Sequence, residues 1–318
     1  MKRVAILTSG GDSQGMNAYI YKLTNLLIKN KYKVYGIMRG YQGLLDEDFI
    51  ELNTRFVESI AFLGGSILKT ARCTEFYEDS GVERGYRILK KHKIDVLVVI
   101  GGNGSYKGAI NLCSKGINVI CIPGTIDNDL FYSDISLGFD TCVNNAVDAI
   151  EKIKQTMLSN NRGVIVEVMG RNCGNVALST ALSINANALI IAEDKESVKN
   201  CENYIKTAIK NGIESPVVVL QENILDGNEL AKTFENKFKK QFKFEKIGYV
   251  QRGGSPTIKD KIFANLLAIQ TMNSILNNEL NIAIGMQKEN IFTMPLDKVL
   301  STKSNFNKNL YELYLSNL

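Results

Sequence analysis

The chain of 318 residues is 45% hydrophobic and 22% charged, with only 4 prolines. Such a composition belongs to a folded protein in water without long disordered linkers, and a chain of this length tends to divide into two cores. A formal charge of +5 is too mild for a nucleic-acid binder.

After Met1-Lys2-Arg3 the first apolar run is only Val4 to Leu7, ending in a glycine turn. No secretory signal is expected there, and no run of about 20 apolar residues is present to span a bilayer, so the expected location is the cytoplasm, with no membrane partner. Met16–Ile28 then reads as a helix from its apolar spacing. Short apolar strands follow at 34–38, 95–100, 119–122, 164–168, 189–192 and 216–220, several of them ending in glycine-rich turns. Helical patterns separate them at 84–91, 109–114, 142–157, 198–211 and 230–238. Strands that are apolar on both faces and alternate with helices predict a doubly wound α/β architecture with parallel sheets, and ligands beyond the carboxyl ends of the strands. The strand sets before and after about residue 138 form the natural halves. Six cysteines show no C-x-x-C pair and no metal spacing with His92, the single histidine, so reduced thiols and a structural histidine are expected.

Four features carry possible chemistry. Thr8-Ser9-Gly10-Gly11-Asp12-Ser13-Gln14-Gly15-Met16-Asn17 links a strand to a helix, and Gly101-Gly102-Asn103-Gly104-Ser105 repeats that arrangement. Such loops suit anion binding at a helix N-terminus, and equally suit a tight structural turn. Pro123-Gly124-Thr125-Ile126-Asp127-Asn128-Asp129 offers carboxylates at i and i+2, one to accept a hydroxyl proton and one to hold Mg²⁺, or else a solvated Asx turn. Arg72, Arg162, Arg171 and Arg252 lie near strand ends or glycine turns, where guanidinium groups could bind phosphate.

With these segments assembled, the chain resembles the bacterial ATP-dependent 6-phosphofructokinase family over essentially its whole length. The resemblance rests on LTSGGDSQGMNA at 7–18, LVVIGGNGSYKGA at 97–109, IPGTIDND at 122–129, VIVEVMGRNCG at 164–174 and VQRGGSP at 250–256. It implies two similar Rossmann-like α/β domains with the active site in the cleft between them. The nucleotide-binding domain would comprise 1–138 and about 251–300, and the sugar-phosphate domain 139–250 and about 301–318. It implies Mg-ATP as phosphoryl donor, fructose 6-phosphate as acceptor, and a homotetramer. Asp127 would be the general base, with Thr125, Arg72 and Arg171 catalytic beside it. Gly11, Arg72, Cys73, Gly102, Asn103, Gly104, Ser105 and Lys107 would surround the nucleotide. Thr125, Ile126, Asp127, Arg162, Met169, Gly170, Arg171, Glu222, Lys243, Tyr249 and Arg252 would hold the sugar phosphate, and Asp129 with Asn103 the metal. Pyrophosphate-dependent relatives usually carry Asp and Lys where this chain has Gly104 and Gly124, so the glycines favour ATP by leaving room for the nucleotide.

Several positions depart from the family pattern. Asn103 replaces the aspartate of the GGDGS loop, keeping an oxygen but losing a charge. Lys107 stands where an apolar residue is common; it would reach a phosphate or point to water. Lys243 and Tyr249 replace an arginine and a histidine, which predicts weaker sugar-phosphate binding. At the family's effector positions the chain has Tyr21, Asn25, Lys154, Asn187 and Ile213, which predicts little response to ADP or phosphoenolpyruvate. The alternative reading of these departures is a catalytically impaired paralogue, a regulatory or structural subunit in a hetero-oligomer with an active partner.

Overall fold

The computed structural model describes residues 1–301 and 306–318. The chain divides into two units, Met1–Asp140 with Gly254–Asn305, and Thr141–Gly253 with Phe306–Leu318. In chain order the strands are β1 (Arg3–Thr8), β2 (Lys33–Ile37), β3 (Phe49–Glu51), β4 (Val96–Gly101), β5 (Val119–Pro123), β6 (Gly163–Val168), β7 (Ala188–Ile190), β8 (Val217–Gln221), β9 (Phe242–Lys246), β10 (Ile282–Gln287) and β11 (Asn290–Pro295).

The first unit is built on a sheet of order β11-β10-β5-β4-β1-β2-β3, and its five central strands run parallel. Their side chains alternate between two buried clusters. Val4, Ile6, Val98, Ile100, Ile120 and Ile122 face one cluster, with Leu23 and Leu27 of helix Met16–Lys29 and Phe263 and Leu267 of helix Ile258–Leu276. Ala5, Leu7, Leu97, Val99, Val119 and Cys121 face the other, with Leu89 of helix Asp79–Lys91 and Leu112 of helix Asn103–Ser114. Each Val, Leu or Ile so covered contributes about 1.5–3 kcal/mol, which is why continuous apolar runs form central strands here. From β1 the chain goes to β2 on one side and later to β4 on the other. The crevice beyond β1 and β4 is therefore the topological switch point.

The second unit has a fully parallel sheet of order β7-β8-β6-β9. One face is filled by Ile165, Ile190, Val218 and Leu220, with Cys201 and Ile205 of helix Ser197–Lys210 and Ala231 and Phe234 of helix Gly227–Phe238. Both units thus have the expected doubly wound architecture, on sheets of seven and four strands.

The strands expected from sequence are present with ends shifted by one or two residues, but β3, β9, β10 and β11 were not anticipated. β3 and β11 are antiparallel edge strands, and β9 ends its sheet with a half-exposed pattern, so none is a continuous apolar run. Helix Asn103–Ser114 begins six residues before the expected 109, because Gly104 and Gly108 interrupt its apolar pattern. Helix Ile258–Leu276 escaped notice because Ile258, Ile262, Leu266 and Ile269 are exposed and blur its two faces. His92 Nε2 lies 2.9 Å from Glu47 and the ring stacks on Phe49, the structural role expected of it. Among the described residues no helix is long and apolar enough to cross a membrane.

Candidate active site

In the first unit, Thr8 pairs with Ile100, and Gly101 with Pro123. The loops after β1, β4 and β5 therefore leave the same sheet edge. Ser9 N donates to Ile100 O at 3.0 Å, joining the first two across the switch point. A Cβ at Gly101 would stand 2.5 Å from Ser9 O and 2.4 Å from Ser105 Oγ, so only glycine permits this approach. Ser105 Oγ is buried without a hydrogen-bond partner, and Gly102 gives helix Asn103–Ser114 no side-chain cap. An orphaned hydroxyl beside an uncapped helix start is a cradle for an anion. Gly11 is exposed beside it, Arg72 is exposed on the coil before Cys73, and Lys107 is exposed on the helix. Cys73 is buried, and burial raises its thiol pKa, which makes it a packing residue and not a nucleophile. Tyr41, absent from the sequence reading, donates its hydroxyl to Ser105 O at 2.6 Å while its ring stacks on Phe76.

The two glycines singled out for the phosphoryl donor differ in kind. A Cβ at Gly104 would meet nothing within 4 Å, as expected of a position that leaves room. A Cβ at Gly124 would meet Ile100 Cγ2 at 2.7 Å and Met16 Cε at 3.1 Å. A Cβ at Gly124 would therefore press on the core side chains Ile100 and Met16.

The carboxylate loop is held from beneath. Asn128 is buried at φ 51° and donates Nδ2 to Asp134 O at 3.1 Å. Ser136 Oγ bridges Thr125 O at 2.6 Å and Asn128 Oδ1 at 3.0 Å. With Asn128 turned inward, its neighbours Asp127 and Asp129 are left half-buried, and Ile126 packs into the interior. Asp127 N donates to Thr125 Oγ1 at 3.2 Å. Asn103 Nδ2 donates to both Asp129 O at 3.0 Å and Asp129 Oδ2 at 3.1 Å. The structure thus brings together Gly102, Asn103, Ser105, Thr125, Asp127 and Asp129.

In the second unit the turn Met169-Gly170-Arg171 leaves β6. Gly170 has φ 146° and Arg171 φ 57°, and a Cβ at Gly170 would meet Cys173 O at 2.7 Å. Glu222 Oε1 accepts from Gly170 N at 3.1 Å and Arg171 N at 2.8 Å. Two residues that sequence reasoning passed over complete the frame. Gln251 Oε1 accepts from Met169 N at 2.9 Å, and Gln221 Nε2 donates to Arg171 O at 3.0 Å. Both glutamines are buried, and their place beside Glu222 and Arg252 in the sequence was the available signal. Arg252 lies 5.7 Å from the Tyr249 ring, and Tyr249 is exposed. Lys243 is exposed on β9. Arg162 has its Nε buried without a partner, and the Arg171 side chain has no ion pair among the described residues.

Of the residues expected from the resemblance at effector positions, Asn187 and Ile213 line a cavity of about 190 Å³ with Asn185, Tyr204, Asn211 and Tyr314. Among the described residues no charged side chain lines it. Lys154 Nζ donates to Ile184 O at 2.9 Å.

A family model described as Phosphofructokinase matches residues 3–275. The chain belongs to the phosphofructokinase family. It is 42% identical over 313 residues to an ATP-dependent 6-phosphofructokinase of Clostridioides difficile, covering 98% of each chain. It is 40% identical over 314 residues to an enzyme of the same name from Clostridium botulinum, again covering 98% of each. Among solved structures, phosphofructokinase from Saccharomyces cerevisiae superposes with a TM-score of 0.88 at 26% identity; the match covers 99% of this chain and 50% of the yeast chain. A pyrophosphate-dependent phosphofructokinase from Marinobacter aquaeolei superposes with a TM-score of 0.85 at 18% identity, which shows the shared fold. The phosphofructokinase fold thus accounts for the two sheets with their parallel central strands and for the loops at the carboxyl ends of those strands.

Proposed function

We propose that this chain is an ATP-dependent 6-phosphofructokinase, moving the γ-phosphoryl group of ATP to the 1-hydroxyl of fructose 6-phosphate. The observation that carries the reading is the loop Thr125–Asp129, where two acids flank a buried asparagine beside the uncapped helix start at Gly102. The ATP-dependent relatives at 40–42% identity support the donor, and so does the open space at Gly104.

In this reading Asp127 takes the proton of the sugar 1-hydroxyl while that oxygen attacks the γ-phosphorus. The new O–P bond forms as the bond to the β,γ-bridging oxygen breaks, and ADP leaves with that electron pair. Arg72 and Arg171 offset the charge on the transferring group, and Glu222 holds the Gly170–Arg171 backbone in place. Arg162 and Arg252 supply cations for the sugar phosphate, with Lys243 and Tyr249 in supporting positions.

The reaction uses Mg²⁺ with the nucleotide, and the donor set at the first-unit site suits it. The Asp129 carboxylate and the Asn103 amide oxygen are hard oxygen donors. These two residues would hold it together with nucleotide oxygens and water, the mixed shell that Mg²⁺ prefers. Bound there, Mg²⁺ supplies positive charge to the nucleotide phosphates.

A cytoplasmic homotetramer accords with the family resemblance, and light scattering would then read four times the mass of one chain. The impaired-paralogue alternative has no observation in its favour. The deciding assay is fructose 1,6-bisphosphate formation by the purified protein with Mg-ATP and with pyrophosphate. Turnover with ATP is expected; turnover with pyrophosphate alone, or with neither donor, would overturn the reading.

A further inference from the structure

We propose that Asn103 is a positioning residue, whose amide fixes the Asp129 carboxylate before any cation arrives. The metal-facing edge of the loop is then preformed and carries one negative charge. The inference rests on the phosphofructokinase reading only in naming the cation as Mg²⁺.

Asn103 Nδ2 reaches two acceptors of one residue, Asp129 O at 3.0 Å and Asp129 Oδ2 at 3.1 Å. Turning the amide over would set Oδ1 against both oxygens, so the partners themselves fix its orientation. Both ends of the clamp are anchored. Asn103 is the first residue of a helix running to Ser114, and its neighbours Ser105 and Tyr106 are buried. Asp129 follows Asn128, which Ser136 and Asp134 hold, and precedes buried Leu130. The backbone that carries each side chain is thus held in place, and the bonds from Nδ2 set the two side chains against each other.

The identity of residue 103 therefore decides the electrostatics of this site before a cation binds. An amide there donates to the carboxylate and leaves Oδ1 as its remaining acceptor. A carboxylate there would face Asp129 with two like charges at contact distance, and a cation would be needed to hold them together. This chain has a site that is rigid without metal and has little affinity for Mg²⁺ alone. The cation is expected to arrive with the nucleotide, whose phosphates bring the missing negative charge.

The test is a double-mutant cycle on the full chain, read by thermal unfolding in chelator at one pH, with no substrate present. Asn103→Asp should lower the midpoint by about 2–4 °C in the wild-type background. The same substitution should cost clearly less beside Asp129→Asn, because the side-chain pair again joins an amide to a carboxylate and only the bond to the main-chain Asp129 O is lost. Should Asn103→Asp alone fail to fold, recovery by Asp129→Asn supports the clamp. Equal losses in both backgrounds, no loss in either, or no recovery would overturn it. In a second reading, Mg²⁺ alone should raise the midpoint of Asn103→Asp and leave the wild type unchanged; an equal response by both would also overturn the proposal. None of these readouts depends on turnover, so an inactive protein in the kinase assay would sink the functional reading and leave the clamp to stand or fall on its own.

Discussion

Asp127, the proposed base, and Gln251, which braces the Met169 turn, stand at different removes from the proposed chemistry, and their substitutions should separate. Asp127 sits in a turn closed by the bond from its own N–H to Thr125 Oγ1 at 3.2 Å. Asn keeps that main-chain bond and the side chain's size but cannot take a proton. Asp127→Asn should therefore lower kcat about 10²–10⁴-fold while KM for both substrates changes little, as steady-state kinetics would show. Gln251 is buried, with Oε1 on Met169 N and Nε2 3.5 Å from Cys142 Sγ. Leucine in its place leaves the Met169 N–H without that acceptor, at a cost of about 1–3 kcal/mol. Gln251→Leu should show a lower thermal midpoint and a raised KM for fructose 6-phosphate. An unchanged KM beside a lowered midpoint would confine Gln251 to stability.

At the scale of elements, the glycines test how the phosphate loops meet their sheet. Gly104 lies in the first turn of helix Asn103–Ser114 with open space where a Cβ would stand. Gly104→Ala should stabilise the fold by up to about 1 kcal/mol, since alanine suits a helix better, while raising KM for ATP if that space receives the nucleotide. Gly124→Ala should do the reverse to stability, losing about 1–3 kcal/mol, because its Cβ would stand 2.7 Å from Ile100 Cγ2. Chemical denaturation of both variants checks the opposite signs. The contrast marks what the sequence could tell. The central strands were legible because each is apolar on both faces, and the loops because glycines and acids punctuate their carboxyl ends. The edge strands were not legible, since β9 and β11 mix charged or polar residues with apolar ones. Gln221, Gln251 and Tyr41 were equally hidden, because a buried polar residue that braces a turn looks like any other until its partners are known. The packing of Gly124 against Ile100 and Met16 was hidden for the same reason, since a motif position does not reveal what a side chain there would meet.

At the scale of the whole molecule, the question is whether the protein responds to small-molecule effectors. In the second unit Asn187 and Ile213 line a cavity whose other described walls include Asn185, Asn211, Thr207, Tyr204 and Tyr314 and no Lys or Arg. Lys154, the cation retained at these positions, is already engaged with Ile184 O at 2.9 Å. In the first unit Tyr21 packs against the core and Asn25 is half-buried on the same helix, so neither position offers charge to a phosphate. Binding of a nucleoside diphosphate or phosphoenolpyruvate needs several cations to repay the loss of hydration of their anionic groups. An effector can shift an equilibrium only by its differential affinity for the two states. With these positions so poor in charge, they supply little of that differential. ADP or phosphoenolpyruvate should move half-saturation by fructose 6-phosphate by less than about fivefold, below the usual range of allosteric coupling. Kinetic titration at fixed Mg-ATP, with competition by ADP at the nucleotide site subtracted, measures this directly. A larger shift would require an effector site built from other residues.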